Sequence, residues 1–275
     1  MTANTRRLIY VLFVIAVAAP MVRPVPMPLM VKQETRDLYT RIEQLKPGDT
    51  VVMCFDYSPG TATDIHAAAV AVFHHLMRRP GIGVIGVAFV ADGPQFAEQA
   101  FATAPPGKKY GFDLVNLGYR AGGENAIAAF SQDVQKTFPA DIEGTPAGRL
   151  PLLSKVKSAR DFALVIEMSG GTPGPAEWIR QAGQPYGAAI GAIVTTVMVP
   201  PNLAYLQSKQ LAALLYGLRG AAEYETLVGR PGNGLAGMGS QSAAAVFILL
   251  AVAINNIRRL VLRRRALPSE RRPAQ

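Results

Sequence analysis

Five apolar runs of strand length, alternating with stretches of helical periodicity, predict an α/β domain built on a mainly parallel sheet. The runs are almost continuously apolar, as in Val84-Ile-Gly-Val-Ala-Phe-Val90, which suits strands covered on both faces. An uncharged segment lies near each end of the 275-residue chain, with arginines on its outer side. Together these observations predict a three-layer, doubly wound sheet of flavodoxin-like or Rossmann-like type, flanked by an N-terminal and a C-terminal membrane helix.

Residues 1–7 form a basic tip carrying Arg6 and Arg7, and residues 8–22 an apolar segment. Its uncharged stretch Leu8–Ala19 spans only about 18 Å as a helix. That length fits a signal anchor, or a cleaved signal peptide with Ala16-Val17-Ala18 as its cleavage site. Residues 23–32 are a proline-rich spacer with Pro24, Pro26 and Pro28. The second apolar run, 235–257, is about 34 Å long as a helix, enough to cross a bilayer with some tilt. Five arginines between 258 and 265 follow it and read as a stop-transfer signal, leaving 258–275 as a basic cytoplasmic tail.

Between these runs, 33–230 is expected to form one domain. Residues 33–46 predict a surface helix with Leu38, Ile42 and Leu45 at helical spacing, ended by Pro47-Gly48. Strand Thr50–Tyr57 is followed by helix Thr61–Arg79, stopped at Pro80-Gly81. Strand Ile82–Val90 leads to helix Pro94–Ala104, and strand Phe112–Leu117 to helix Asn125–Phe138. Residues 139–151 are irregular and rich in proline and glycine. A helical stretch near Leu152–Ser158 precedes strand Asp161–Met168 and helix Ala176–Ala182. The last expected strand is Ile190–Val199, closed by Pro200-Pro201, and helices Leu203–Leu218 and Ala221–Val228 complete the domain.

The net charge of +9 belongs to the tips. Residues 8–257 carry 19 basic against 18 acidic side chains, so the body offers no basic stripe for nucleic acid. The arginine tail fits anionic lipid headgroups. A composition of 49% hydrophobic and 17% charged residues excludes a disordered chain, and one cysteine excludes an internal disulfide. Cys54, within Val-Val-Met-Cys-Phe, reads as an inert core thiol.

In such a sheet, ligands bind outside the carboxyl ends of the strands. Candidate ligand-binding residues there are Asp56, Ser58, Thr61, Asp92, Arg120, Gly122, Gly123, Ser169, Gly170, Gly171 and Thr172, because small residues and hydroxyls before helix N-termini expose backbone N–H groups to an anion. The same residues also serve as ordinary turns and caps. Asp56, Asp92 and Glu167 could converge on a divalent cation, although helix capping explains an aspartate equally well. His66, His74 and His75 share one predicted helix without the carboxylate of a zinc-binding helix, and read as core or surface histidines. No catalytic residue, cofactor or metal ligand is assigned.

On the C-terminal membrane helix, Gly237, Gly239, Ser242 and Ala243 make a small-residue face, and Gln241 could hydrogen-bond across a helix contact there. The leading expectation is a non-enzymatic accessory or scaffold subunit, with its domain outside the cytoplasm and docked through that face to a polytopic transport or export protein. A small-ligand sensor using the glycine loops is the alternative, and a metal-dependent hydrolase a weaker one. A homo-oligomer is compatible with the sequence.

Overall fold

The computed structural model describes residues 3–24 and 29–266, with side chains to 262. Much of the proline spacer (25–28) and the end of the tail (267–275), with Arg271 and Arg272, lie outside the described residues. The chain divides into an α/β unit, Pro26–Leu235, and a helical unit formed by its two ends.

In the α/β unit, α2 (Gln33–Glu43) leads into β1 (Thr50–Asp56), α3 (Pro59–Arg78), β2 (Gly83–Ala88), α4 (Gly93–Phe101) and β3 (Leu114–Tyr119). A long crossover holds α5 (Glu124–Gln132), α6 (Val134–Thr137) and three short 3-10 turns before β4 (Phe162–Ser169). Then follow α7 (Pro175–Trp178), a π-helical turn Ile179–Gly183, α8 (Gln184–Tyr186), β5 (Ile190–Val194), α9 (Val199–Gln207), β6 (Ala213–Tyr216) and α10 (Gly217–Val228). The six strands form one sheet in the order β3-β2-β1-β4-β5-β6, and every neighbouring pair is parallel. This is the doubly wound, Rossmann-like arrangement, with helices on both faces.

Strand alternation explains the two cores. One face sends Val51, Met53, Phe55, Ile166 and Met168 against α2, α3, α4 and α10. The other sends Val52, Cys54, Val87, Val165, Ala192 and Val194 against α5 and the segment around Trp178. Both faces are covered, which is why the strands lack a polar alternation.

Three expectations about elements are corrected. A sixth strand, Ala213–Tyr216, lies inside the stretch expected as helix Leu203–Leu218. The expected strand Ile190–Val199 ends at Val194, because Pro200 and Pro201 sit in the first turn of α9, where a missing N–H costs nothing. The expected helix Asn125–Phe138 breaks at Asp133, whose carboxylate caps α6 by accepting from Lys136 N.

Polar groups tie the helices to this frame. Glu223, buried in α10, accepts from Thr35 Oγ1 and Lys32 N and pairs with Arg219. His75 joins Tyr224 and Glu43, both at 2.8 Å, and His66 pairs with Tyr57. Glu225 accepts from the N–H groups of Gly232, Gly234 and Leu235, where a carboxylate complements the start of a helix.

The helical unit contains α1 (Ala3–Val22) and most of α11 (Asn233–Ala266). Both are long and apolar enough to cross a membrane. They pack antiparallel: Phe13 meets Phe247 edge to face at 5.3 Å, Ser240 Oγ donates to the Val17 carbonyl, and a Cβ on Gly239 would lie 2.8 Å from Pro20. The small-residue stretch therefore has a neighbour within the chain. Gly237, Gly239 and Ala243 are half-buried. Gln241 and Ser242, assigned to the contact by sequence, are exposed, and buried Ser240 supplies the hydrogen bond instead. Only small residues let two backbones approach so closely. Cysteines placed at Phe13 and Phe247 in membrane-embedded protein are expected to be joined by a short thiol cross-linker, as read by mass spectrometry of the linked peptides. Adding Gly239→Leu should weaken that link, and an undiminished yield would show that Gly239 does not set the approach.

Candidate functional site

The strand order reverses between β1 and β4, so the chain leaves these neighbouring strands toward opposite faces of the sheet, the position at which doubly wound sheets bind ligands. Parallel register sets Cys54 beside Glu167 and Asp56 beside Ser169. Cys54 and Asp56 are two apart on β1, so they share a face. A thiol and two carboxyls thus meet below this reversal.

They lie entirely inside the protein. Asp56 is 2% exposed, and Cys54 and Glu167 are 0% exposed. Ligand atoms of the three lie within 4.8 Å of one another. The Cys54 thiol donates to Asp56 Oδ2 at 3.2 Å. Asp56 Oδ1 accepts from the backbone N–H groups of Phe89 and Val90, the latter at 3.0 Å, tying the end of β1 to the end of β2. Glu167 is different: among the described residues neither of its carboxylate oxygens has a hydrogen-bond partner. The indole Nε1 of fully buried Trp178 is also unpartnered; it and the Cys54 thiol approach Glu167 closely enough to favour its charged form without reaching hydrogen-bond geometry.

Burial dominates the electrostatics here. It raises Asp56 to about 6, opposed by the Phe89 N–H, the Cys54 thiol and the Val90 N–H. Burial also raises Glu167 well above the carboxylate range, and the charge of Asp56 adds to it. The Cys54 thiol is pushed up by burial and by both carboxylates. An unpaired buried carboxylate is expensive, and such costs concentrate where a protein has a use for the group.

The other candidates separate from this cluster. Ser58 and Thr61 form the capping box of α3, so their side chains serve the helix start. Gly170 lies against Thr61, with a Cβ there falling 2.6 Å from Thr61 Oγ1, so the loops after β1 and β4 touch. Ser169 Oγ accepts from Gly171 N and lies within donating distance of the Gly171 and Pro173 carbonyls. Gly171 is half-buried and Thr172 exposed. Asp92 neither joins Asp56 and Glu167 nor caps α4: it is exposed and its side chain makes no cap bond.

Arg120 and Gly122, with Gly123 beside them, stand at the end of β3. Arg120 and Gly122 line an open groove of about 660 Å³ along α5, together with Asn125, Gln132, Asp133 and Lys136. Gly122 and Gly123 take positive φ, which a strand-to-helix turn requires here. The first turn of α5 carries Glu124, bound in bidentate fashion by Arg180, which also reaches Glu177. That pairing lowers Glu124 to about 2. A carboxylate already occupies this helix start, which disfavours an added anion.

Cys54 is the buried thiol that its apolar surroundings imply, and the fold also sets it beside Asp56 and Glu167, a proximity that sequence reasoning did not draw. Its signal was present in the i, i+2 spacing to Asp56, and Glu167 is a lone acid inside an apolar strand. Comparison with protein-family models, curated proteins and solved structures finds no match.

Proposed function

We propose that this chain is a membrane-tethered binding domain that takes a small polar ligand at the strand-order reversal, where the loops after β1 and β4 meet. The observation that carries this reading is the buried, unpartnered Glu167 beside Asp56 at the strand-order reversal. A passive scaffold has no use for so costly a group at the position where doubly wound sheets bind ligands. The accessory-subunit reading drew its support from the small-residue face of α11, and α1 already meets that face. A polytopic partner would dock elsewhere on the helix pair.

The antiparallel packing of α1 and α11 supports the topology expected from charge. It sets Arg6 and Arg7 at the same end of the pair as Arg258 and Arg259, and basic flanks favour the cytoplasmic side. The α/β unit then stands outside the cytoplasm, with the tail beside anionic headgroups.

Full-length protein in mild detergent, screened by thermal shift against small polyols, sugar phosphates and carboxylates, tests the binding reading. A ligand at a hundredfold excess over Kd stabilises by about 2.7 kcal/mol, which corresponds to roughly 5–10 °C for a chain of this size. Gly170→Ala, which pushes the two loops apart, should abolish the shift. No shift with any compound, alongside a stoichiometric membrane protein on purification, would overturn the binding reading in favour of the subunit one.

A further inference from the structure

We infer that Cys54, Asp56 and Glu167 form a binding site for one divalent transition-metal ion, of the zinc or cobalt(II) type. The reasoning starts from spacing. A tetrahedral centre with bonds of about 2.0–2.3 Å holds its ligand atoms about 3.3–3.8 Å apart. Cys54 Sγ and Asp56 Oδ2 are already 3.2 Å apart, and the Glu167 oxygen falls within 4.8 Å of both ligand partners.

Chemistry then narrows the ion. One thiolate with two carboxylates is a mixed donor set that suits a borderline metal better than calcium or magnesium, which take oxygen alone. Coordination releases to solvent the Cys54 thiol proton and any proton held by the Glu167 and Asp56 carboxyls, leaving three anionic ligands around a dication. Three protein ligands leave a fourth position open, as in zinc sites that bind a water or a substrate.

The second and independent observation concerns orphaned polar atoms. Both oxygens of Glu167 and the indole N–H of Trp178 are completely buried and unpartnered among the described residues. An ion satisfies the carboxylate, and a ligating carboxylate is the usual acceptor for an outer N–H such as that of Trp178. One ion thus accounts for groups that protein contacts leave unsatisfied. Asp56 contributes Oδ2 while Oδ1 stays bound to Phe89 and Val90, so its orientation is fixed before any ion arrives.

The test uses the full chain, expressed in medium supplemented with zinc or with cobalt(II), purified in mild detergent and measured by elemental analysis. About one ion per chain is expected. The cobalt form should show a near-ultraviolet thiolate-to-cobalt charge-transfer band. Cys54→Ser should remove the band while circular dichroism stays that of the wild type, and Glu167→Gln should cut metal content at least about tenfold. Folded wild-type protein without stoichiometric metal of any kind, or metal content indifferent to both substitutions, would overturn the site. The inference shares Glu167 with the ligand reading, and the two are separated by their readouts. A metal-free protein that still responds in the thermal-shift screen would sink the metal site alone, and a metal-loaded protein with no response would sink the ligand reading alone.

Discussion

Glu167→Met is expected to make the metal-free protein more stable. Glu167 sits in the middle of the sheet, on β4 between Cys54 of β1 and Ala192 of β5, with no exposed surface. Whether its carboxyl holds a proton or a charge, it has exchanged water for an environment in which neither oxygen is hydrogen-bonded. Methionine has a similar length, adapts to irregular space and has no polar demand. Replacing buried ion pairs with apolar residues of similar volume ranges from neutral to stabilising by about 4 kcal/mol, and a buried carboxyl without a hydrogen bond belongs at the stabilising end. For a chain of this size that is up to roughly 16 °C in Tm. Asp56 keeps its two backbone N–H partners in the variant, so the end of β1 stays anchored. The measurement is a thermal melt of full-length wild type and variant after chelator treatment. With zinc present the order should narrow or reverse, because only the wild type gains the ion's binding free energy. A variant less stable than the metal-free wild type would mean that Glu167 supports the fold through a partner of its own.

The sheet was legible because its strands obey a simple rule: a strand covered on both faces is a short, nearly unbroken apolar run. β1, β2 and β4 follow that rule closely. β6 escaped it because Ala213-Leu-Leu-Tyr216 is four residues of helix-favouring composition next to helical neighbours, and so short a run has no period of its own. Its strand character comes from pairing with β5, a tertiary effect. Pro200 and Pro201 misled for a related reason, since proline punctuates a strand end and a helix start alike.

The candidate site was half legible for the same physical reason. Asp56 could be placed at the end of its strand, and periodicity puts Cys54 on the same face. The partner strand and its register cannot be read locally, because β1 and β4 are more than a hundred residues apart. Asp92 looked as eligible as Glu167 in sequence, yet it leaves the end of β2 on an exposed turn while Glu167 points into the sheet's covered face. The α11 contact repeats the lesson. Small residues announce a close helix approach, but only the fold reveals that the approaching helix is α1, more than two hundred residues away.

Gly93→Ala should be among the most damaging single-methyl additions to the chain, and it connects the fold to the site. Gly93 is the first residue of α4 and is buried where that helix starts against the sheet. A Cβ there would lie 2.1 Å from the Phe55 carbonyl oxygen and 2.4 Å from the Ala88 side chain. The first obstacle is backbone, which cannot rotate away as a side-chain tip can. Either α4 lifts from the sheet or the end of β1 moves, and the next residue on β1 is Asp56. Overpacking in a dense core costs typically 1–3 kcal/mol, and contact with strand backbone places this case at about 3 kcal/mol or above. A drop in Tm of roughly 6–12 °C is expected in detergent-solubilised full-length protein. The shift of β1 should also disturb the Asp56 contacts with Phe89 and Val90, so zinc retention should fall in the surviving folded fraction. Gly171→Ala is the control, since its Cβ would meet no neighbour within 4 Å. If Gly93→Ala melts with the wild type, as Gly171→Ala should, then α4 is not seated on the end of β1 as the structure has it.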